Sequence, residues 1–429
     1  MENKKPTLFE IYPNLEGKIP WIPLMTHIPT NVDRLTNLEA HLKMKAGKIY
    51  IKRDDKDHIV YGGNKLRKFE FIFGNALKKK KKGILTIGGI GTNHGLACAI
   101  VARELKLKCD LFLFPQPLTW HVQRSLLLYD YFGAKLHYNK KFTFLALRVF
   151  LFQFTHPKYY SMLPGGSPLF GLGTSLGTLG FINAIFELHK QIEEGNLIMP
   201  DAIFLATASA GTTAGLIAGI KLLNLPIKVY AVRVSMDWIS NPSTVIRNAN
   251  KAIKYLRKHD KTIPNVQVEE KDFEFITGYL GSEYGAKTVR GQGAIDVLTE
   301  LEGKDRDFRL DTTYTGKAMA AMIDFLNQEE NKNKVILFWD TYNSNDLDMY
   351  LRETNFNYKT LPNKFHKFFE EKKFQCWQLS DCPEHIRRDC PAYLNQEYRF
   401  WKVAECKLDK NTQEKNKEIL EKVIILEDA

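Results

Sequence analysis

The chain has 429 residues with 44% hydrophobic and 12% aromatic residues, which predicts an ordinary globular protein of two or three domains. Its net charge of +12 does not predict a nucleic-acid partner, because acidic residues are interspersed almost everywhere and the densest basic run, residues 78–82, ends a predicted helix. The N-terminus lacks the apolar segment of a secretory signal, no stretch has the length of a spanning helix, and six cysteines in such a chain indicate a reducing, cytoplasmic setting without a membrane partner.

Strand-like and helix-like patterns alternate along the chain after a helical stretch near residues 32–45. Short apolar runs predict strands at residues 49–53, 83–89, 109–114, 135–137, 202–207, 229–234 and 334–339. Longer amphipathic runs predict helices at residues 65–80, 96–105, 120–132, 181–193, 212–223, 244–257, 287–301 and 318–328. This alternation predicts parallel sheet with crossover helices, an α/β fold.

One unusually apolar run, FTFLALRVFLFQF, covers residues 142–154. It is too short to span a bilayer and it contains Arg148. We predict a buried helix here, with an interfacial helix as the alternative.

The decamer YGGNKLRKFE, residues 61–70, places Lys65 directly after two glycines and an asparagine. Glycines let the backbone approach a bound group closely, and the N-terminus of the helix that follows suits a phosphate. The cations of Arg67 and Lys68 favour a deprotonated amine on Lys65, as a Schiff-base nucleophile requires. The alternative is a turn before an ordinary basic helix.

Two later loops carry small and polar residues at the ends of predicted strands, where open α/β sheets bind ligands. Residues 208–215, ASAGTTAG, suit an anion through backbone N–H groups, hydroxyls and a helix N-terminus, although a plain strand–turn–helix fits equally well. In the loop GTNH, Asn93 is suited to a phenolate oxygen and Thr92 to a carboxylate; the alternative is a turn that caps the next helix.

These motifs occur in the order GGNKLRK, GTNH, the loop after residue 207, Glu283-Tyr-Gly and Tyr314-Thr-Gly-Lys. From about residue 20 to residue 343, the chain resembles the 1-aminocyclopropane-1-carboxylate deaminase/D-cysteine desulfhydrase family. Members of that family are pyridoxal-phosphate enzymes of the tryptophan-synthase β-subunit fold (fold type II). The resemblance implies two open parallel-sheet α/β domains, with residues 1–66 and 175–346 in a large cofactor-binding domain and residues 67–174 in a small one. It also implies a homodimer and a small amino-acid substrate.

The resemblance assigns a role to each candidate site residue. Lys65 would form the aldimine with pyridoxal 5′-phosphate and then act as the base, and Lys68 would assist the phosphate. Asn93 would hold the cofactor's O3′, Thr92 the substrate carboxylate, and Thr341 the pyridine nitrogen. The residues that would face the substrate are Tyr284 and Tyr314, and those that would cradle the phosphate are Ala208, Ser209, Ala210, Gly211 and Thr212.

Several departures from the family pattern bear on the reaction. Ala208 and Ala210 stand where the family usually has glycines, and Tyr342-Asn343 stands where it usually has Gly-Gly. The deaminases of the family carry Glu where this chain has Thr315, and Leu where it has Thr341. The sequence therefore predicts a lyase that catalyses α,β-elimination from a small amino acid, like a D-cysteine desulfhydrase. The alternatives are a ring-opening 1-aminocyclopropane-1-carboxylate deaminase and a cofactor-binding protein of weak activity.

A change in composition after residue 346 predicts a small appended module over residues 347–429. It contains Cys376, Cys382, Cys390 and Cys406, whose spacing does not match the paired cysteines of zinc ribbons. Four thiolates could hold zinc or an iron–sulfur cluster, and cysteine is equally common as a small buried residue. Both interpretations stay open, as does a metal- or redox-sensing role for this module.

Overall fold

The computed structural model describes residues 5–166, 174–303, 307–352, 357–371, 390–394 and 410–419. Within these residues the strands are β1 (Val32–Arg34), β2 (Ile49–Arg53), β3 (Gly83–Gly89), β4 (Lys108–Phe114), β5 (Lys135–Tyr138), β6 (Tyr159–Met162), β7 (Ala202–Thr207), β8 (Lys228–Arg233), β9 (Phe273–Ile276) and β10 (Ile336–Asp340). The helices are α1 (Thr7–Ile11), α2 (Thr36–His41), α3 (Lys65–Lys78), α4 (Asn93–Glu104), α5 (Trp120–Tyr131), α6 (Phe142–Thr155), α7 (Leu176–Glu193), α8 (Gly211–Leu223), α9 (Pro242–His259), α10 (Val289–Glu302), α11 (Thr315–Leu326), α12 (Met349–Arg352), α13 (Lys367–Glu370), α14 (Pro391–Leu394) and α15 (Lys410–Glu418).

The first of two compact units comprises residues 1–81 and 162–345. Its sheet has the strand order β1-β2-β10-β7-β8-β9, and every pair is parallel except the edge pair β1–β2. The helix predicted near residues 32–45 is therefore wrong at its start, because Val32–Arg34 pairs with β2 and only Thr36–His41 is helical. The predicted α/β architecture with parallel sheets is confirmed.

The register of this sheet brings two important loops to one edge. Asp340 lies opposite Arg53 across the β10–β2 pair, and Phe338 lies opposite Phe204 across the β10–β7 pair. All residues of β10 are buried, as expected for a central parallel strand covered on both faces. The segments that follow β2, β7 and β10 thus emerge together at the carboxyl edge, where open α/β sheets bind ligands.

Glycines set the distance between α7 and α8. A Cβ atom on Gly215 would lie 2.4 Å from Phe181 Cβ, and one on Gly219 would lie 2.7 Å from Ile185 Cβ. Both distances are shorter than non-bonded carbon atoms tolerate. Helix α8 therefore packs against α7 along a glycine face, which fixes its N-terminus at the end of β7.

The second unit comprises residues 82–161 and 346–429. Its sheet has the order β5-β4-β3-β6, with β3, β4 and β5 parallel. Described residues beyond 346 pack within this unit: Gln123 Nε2 donates to Phe368 O at 2.6 Å, and Arg124 pairs with Asp348. Most of the predicted appended module, residues 347–429, lies outside the described residues, so its separate character stays a prediction.

The two units do not share the boundaries of the predicted domains. The chain passes between the units after Lys81, before Met162 and after Asn345. The boundary predicted after residue 66 falls inside α3, which belongs to the first unit as a whole. The reason lies in the charged first turn of α3, which is buried among elements of that unit.

Helix α6 confirms the prediction of a helix near residues 142–154, but it is buried on one face only. Leu145 is fully buried against a small cluster with Leu85 and Phe112, whereas Phe150 and Phe154 are 68% and 80% exposed. Among the described residues, none of the helices has the length and apolar character needed to cross a bilayer.

Candidate active site

Lys65 is the first residue of α3, and two glycines bring it to the carboxyl edge of the first unit's sheet. Gly63 has φ of 108°, and a Cβ atom there would lie 2.7 Å from Thr341 O. At Gly62 a Cβ atom would lie 1.9 Å from Asp55 O. Only glycine fits at these positions, so the turn before Lys65 is shaped by the segments that follow β2 and β10.

Asn64 connects Lys65 to two other parts of the site. Its side-chain oxygen accepts a hydrogen bond from Lys65 Nζ, and its Nδ2 donates to Thr212 Oγ1 at 3.1 Å. Its backbone N–H donates to Thr341 O at 3.2 Å. The catalytic candidate, the small-residue loop and the end of β10 are thus joined through one residue, Asn64, to which the sequence assigns no role of its own.

The candidate phosphate loop, residues 208–212, joins β7 to α8. Ala210 is buried and adopts a left-handed conformation with φ of 62°, so the chain turns sharply and α8 begins at Gly211. The first-turn N–H groups of a helix lack intrahelical partners, and here they are accompanied by the hydroxyls of Ser209 and Thr212. This arrangement has the donor set and the helix dipole that a phosphate requires.

Lys68 lies beside this loop. Its Nζ donates to Gly165 O at 3.0 Å, and a Cβ atom on Gly165 would lie 2.4 Å from Ser209 Oγ. Burial, and secondly the charge of Lys65, lower the pKa of Lys68 well below its ordinary value. A phosphate dianion at the loop would compensate a buried ammonium on Lys68, and the role at the phosphate that the family resemblance implies for this lysine stays a prediction.

Arg67 has a different role from the one predicted. Its guanidinium is fully buried and bonds both carboxylate oxygens of Asp54, at 2.8 and 2.9 Å, and both of Glu187, at 2.9 and 3.0 Å. Our expectation that it promotes deprotonation of Lys65 is therefore wrong, because two carboxylates neutralise its charge.

These carboxylates form a buried cluster that includes Lys52. Its Nζ donates to Glu187 Oε1 at 2.7 Å and to Gln191 Oε1 at 2.6 Å. Although burial opposes ionisation, the charges of Arg67 and Lys52 lower the pKa of Glu187. Trp339 Nε1 completes the cluster by donating to Asp54 at 2.7 Å. The cluster fixes the first turn of α3 to α7 and to β10, and thereby positions Lys65.

Tyr284 and Tyr314 lie together, with their hydroxyls hydrogen-bonded. Burial is the largest cause that raises the pKa of each phenol, and Asp311 contributes to both. Tyr61 also raises the pKa of Tyr314. Since Tyr61 is four residues before Lys65, the hydroxyl pair is near the same turn and is neutral at physiological pH.

The residues around this pair keep it in place. Asp311 accepts hydrogen bonds from the backbone N–H groups of Thr313, Tyr314 and Thr315, at 3.1, 3.1 and 2.8 Å. It therefore caps α11 immediately after Tyr314. The buried Lys317 donates to Leu280 O at 2.6 Å and so holds the segment that leads to Tyr284.

The segment after β10 departs from the family pattern and is held by its own side chains. Asn343 is buried, and its Oδ1 accepts from Gly62 N at 2.7 Å. Thr341 is half-buried and contacts the Lys65 turn through its carbonyl oxygen. Asn343, where the family usually has glycine, thus provides a bond to the Lys65 turn that a glycine does not offer.

Thr92 and Asn93 belong to the second unit. Thr92 Oγ1 accepts from Gly95 N at 3.3 Å and caps α4, and Asn93 is the first residue of that helix. The capping interpretation of Thr92 is thus confirmed. The roles of both residues toward a substrate and cofactor stay predictions.

The cysteine cluster lies almost entirely outside the described residues. Only Cys390 of the four is described, and it is buried. Within the described ranges no group of three His, Cys, Asp or Glu side chains is arranged to hold a metal ion.

Comparison with known proteins gives one consistent result. The family model described as "Pyridoxal-phosphate dependent enzyme" matches residues 24–341. A D-cysteine desulfhydrase from Klebsiella pneumoniae is 30% identical over 327 residues, which are 73% of this chain and 91% of that protein. A solved structure of an ACC deaminase homologue has a TM-score of 0.65 and 26% identity, covering 79% of this chain and 95% of that chain. Diaminopropionate ammonia lyase from Escherichia coli shares the fold with a TM-score of 0.54 at 14% identity, covering 76% of this chain and 85% of that chain.

Proposed function

The chain belongs to the pyridoxal-phosphate-dependent enzyme family, and we propose on this basis that it catalyses α,β-elimination from a small amino acid such as cysteine. One observation carries the proposal. Lys65 Nζ, Asn64, the Thr212 hydroxyl at the N-terminus of α8 and the Thr341 carbonyl are joined by consecutive hydrogen bonds. The Lys65 amine, the candidate phosphate loop and the end of β10 thus lie together in the first unit.

The residues of this site fit the cofactor. Ser209, the first N–H groups of α8 and the Thr212 hydroxyl would bind its phosphate, with Lys68 as the nearby cation. Thr341 would lie at its pyridine nitrogen, and Asn93 at its O3′. When bound, pyridoxal phosphate withdraws electrons from the substrate Cα, which makes the α-proton acidic and allows a β-substituent to leave.

We propose that the Nζ of Lys65 moves the α-proton of the substrate. For an amine to accept a proton it must be neutral, and Asn64 Oδ1 fixes the position of this Nζ. Lys68 lies close enough to interact with it, since burial and secondly the charge of Lys65 lower the pKa of Lys68. Tyr284 and Tyr314 are neutral hydrogen-bond donors that would orient the substrate, and Thr92 would bind its carboxylate.

Elimination is favoured over transamination by the residue at the pyridine end. Thr341 offers a neutral hydroxyl there, and a neutral partner makes the ring a weaker electron sink than a carboxylate would. A negative charge on the adjacent Asp340 is disfavoured, because burial, and secondly the charge of Asp55, raise its pKa well above the ordinary value.

The ring-opening deaminase is the alternative, and Thr315 argues against it. Family deaminases carry Glu at that position. Here the Thr315 hydroxyl donates to Asp311 Oδ1 at 2.8 Å and is almost fully buried. Asp311 is the acid near the tyrosine pair, but its carboxylate is occupied by the N–H groups of Thr313, Tyr314 and Thr315 and by the Thr315 hydroxyl.

Product analysis tests the proposal. Purified protein with added pyridoxal phosphate is incubated with D-cysteine, L-cysteine or 1-aminocyclopropane-1-carboxylate. Elimination from cysteine, with one water consumed, yields equal amounts of pyruvate, ammonia and hydrogen sulfide. We expect these products from one cysteine enantiomer and no 2-oxo acid from the cyclopropane. A 2-oxo acid from the cyclopropane alone would identify the deaminase instead.

A second alternative is a cofactor-binding protein of weak activity with a metal- or redox-sensing tail. Tyr342, in place of a family glycine, is the feature that favours it. A bound cofactor without pyruvate from either cysteine enantiomer would support it. Zinc and iron measured in the reduced protein test whether Cys376, Cys382, Cys390 and Cys406 are ligands; a metal-free protein would show that they are not.

The proposal also includes the setting in which the enzyme works. We infer a homodimer in the cytoplasm, as the family resemblance and the six cysteines indicate. Light scattering after size-exclusion chromatography measures the mass in solution. A monomer of 49.4 kDa would contradict the dimer.

A further inference from the structure

Helix α6 carries an apolar face that the rest of the described chain leaves exposed. Residues 144, 147, 151 and 154 follow one another at helical spacing, and residue 150 lies beside them. The exposed fractions are 55% for Phe144, 52% for Leu147, 68% for Phe150, 51% for Leu151 and 80% for Phe154. Together these side chains expose roughly 500 Å² of apolar surface, as much as the largest patches of monomeric proteins, which are often functional.

The opposite face of α6 already has a partner. Leu145 is fully buried, and Val149 and Phe152 pack against the cluster that contains Phe112 and Tyr159. The helix is therefore fixed to the second unit by one face, and the outer face is not needed to complete that core.

The surroundings of this face are cationic. No acidic residue occurs between residues 131 and 186, whereas the same stretch contains Lys135, Lys140, Lys141, Arg148 and Lys158. Lys364 is near Arg148, since burial and then the Arg148 charge lower its pKa. Two acids lie at the flanking strands: Asp110 is buried and pairs with His137 at 2.7 Å, and Glu371 raises the pKa of Tyr138. An apolar strip with a cationic border is thus presented to solvent.

From this surface we propose that α6 docks side-on into the headgroup region of an anionic lipid bilayer, with its five exposed apolar side chains inserted. The proposal is independent of the reaction catalysed. It departs from the sequence prediction of no membrane partner and agrees with the interfacial helix that the sequence offered as an alternative for residues 142–154. Charge complementarity supports it, because apolar helix faces bordered by Lys and Arg bind anionic lipid through both effects.

A second copy of the chain fits this face less well. Pairing α6 with its own copy would bring two cationic segments together, because residues 131–186 contain no acidic side chain. The buried area would total roughly 1,000 Å², the lower limit for a specific interface. Within α6 itself, the described exposed polar side chains beside the five apolar ones are Thr143, Arg148 and Thr155.

Vesicle sedimentation tests the proposal with the full-length protein. The two vesicle preparations contain phosphatidylcholine alone or phosphatidylcholine and phosphatidylglycerol in equal parts. We expect binding to the anionic vesicles that weakens with salt, and a loss of about tenfold or more in the double variant Phe150→Ser/Phe154→Ser. Removing cations in Lys140→Gln/Lys141→Gln should weaken binding about fivefold per charge. Val289→Ser, at a residue 92% exposed elsewhere, is the matched control and should bind like the native protein.

Three results would overturn the proposal: no binding to anionic vesicles, equal binding to both preparations, or unchanged binding by the double variant. Light scattering of native and variant proteins identifies the competing occupant. A native oligomer that dissociates in the double variant, without lipid binding by the native protein, would assign the face to a second copy. If thermal denaturation shows that the double variant is unfolded, the lysine variant decides.

Discussion

At the scale of single residues, Ala210 illustrates how a backbone conformation shapes the candidate phosphate loop. It is a buried alanine with φ of 62°, where a Cβ atom costs about 1–2 kcal/mol. We expect Ala210→Gly to increase the free energy of unfolding by about 1 kcal/mol, measured by urea denaturation.

Ala214 is the matched control for this change. It lies four residues later inside α8, with ordinary helical geometry. Ala214→Gly should decrease the free energy of unfolding by about 1 kcal/mol. If both variants lose stability to the same extent, the left-handed conformation of Ala210 is not a source of strain.

Glu70, the last residue of the decamer YGGNKLRKFE, makes stability depend on pH. Its carboxylate accepts from Trp21 Nε1 and from the backbone of Leu24 and Met25, yet burial raises its pKa from 4.5 to about 7. Between these pH values the folded state holds a proton that the unfolded state has lost. The free energy of unfolding should therefore fall as the pH rises from about 4.5 to about 7, by up to about 3 kcal/mol.

The variant Glu70→Gln tests this pH dependence, because it cannot titrate. Urea denaturation across that pH range should give a curve with a smaller fall than that of the native protein. The exposed Glu16 supplies the control Glu16→Gln, which should retain the native curve. Identical slopes for the native protein and Glu70→Gln would show that folding does not raise the pKa of Glu70.

At the scale of elements, replacing a glycine by alanine should have opposite effects on the free energy of unfolding in two helices. The space around each glycine decides the direction. Gly215 in α8 faces α7 so closely that a Cβ atom would lie 2.4 Å from Phe181 Cβ and 2.5 Å from Thr178 O. Gly215→Ala should therefore lower the free energy of unfolding by about 1–3 kcal/mol. Gly293 in α10 has open space, with nothing within 4 Å of such a Cβ atom, so Gly293→Ala should raise it by about 0.5–1 kcal/mol. The melting temperatures of both variants are measured by thermal denaturation. A shift of both in the same direction would contradict this account.

The segment after β10 supports the turn before Lys65. Asn343→Ala would leave the buried N–H of Gly62 without its acceptor at 2.7 Å, which costs about 1–3 kcal/mol. We expect lower thermal stability and weaker retention of pyridoxal phosphate during dialysis. The half-buried Asn345 is the control, and Asn345→Ala should release less cofactor. Equal retention by both variants would show that Asn343 does not support the site.

At the scale of the whole molecule, the sequence was sufficient for seven of the ten strands in the described residues and for the family. The strand at residues 202–207 was predicted with its observed bounds, because a short apolar run ending in small residues has few other interpretations. Local patterns did not reveal the edge strand Val32–Arg34, which forms by pairing with β2. They also did not reveal the partners of Arg67, since Asp54 and Glu187 are brought to it from distant positions in the chain. A basic residue in a motif was interpreted by its neighbours in sequence, whereas its neighbours in space determine its role.

The central claim is that Lys65 carries pyridoxal phosphate in this protein, and absorption spectroscopy tests it most directly. The native protein, purified with the cofactor and dialysed, should show a visible band from the bound cofactor. Lys65→Ala should lose that band while remaining folded by circular dichroism, and Lys79→Ala, at an exposed lysine beyond the end of α3, should retain it. A native protein without the band, or a Lys65→Ala variant that keeps it unchanged, would contradict the account.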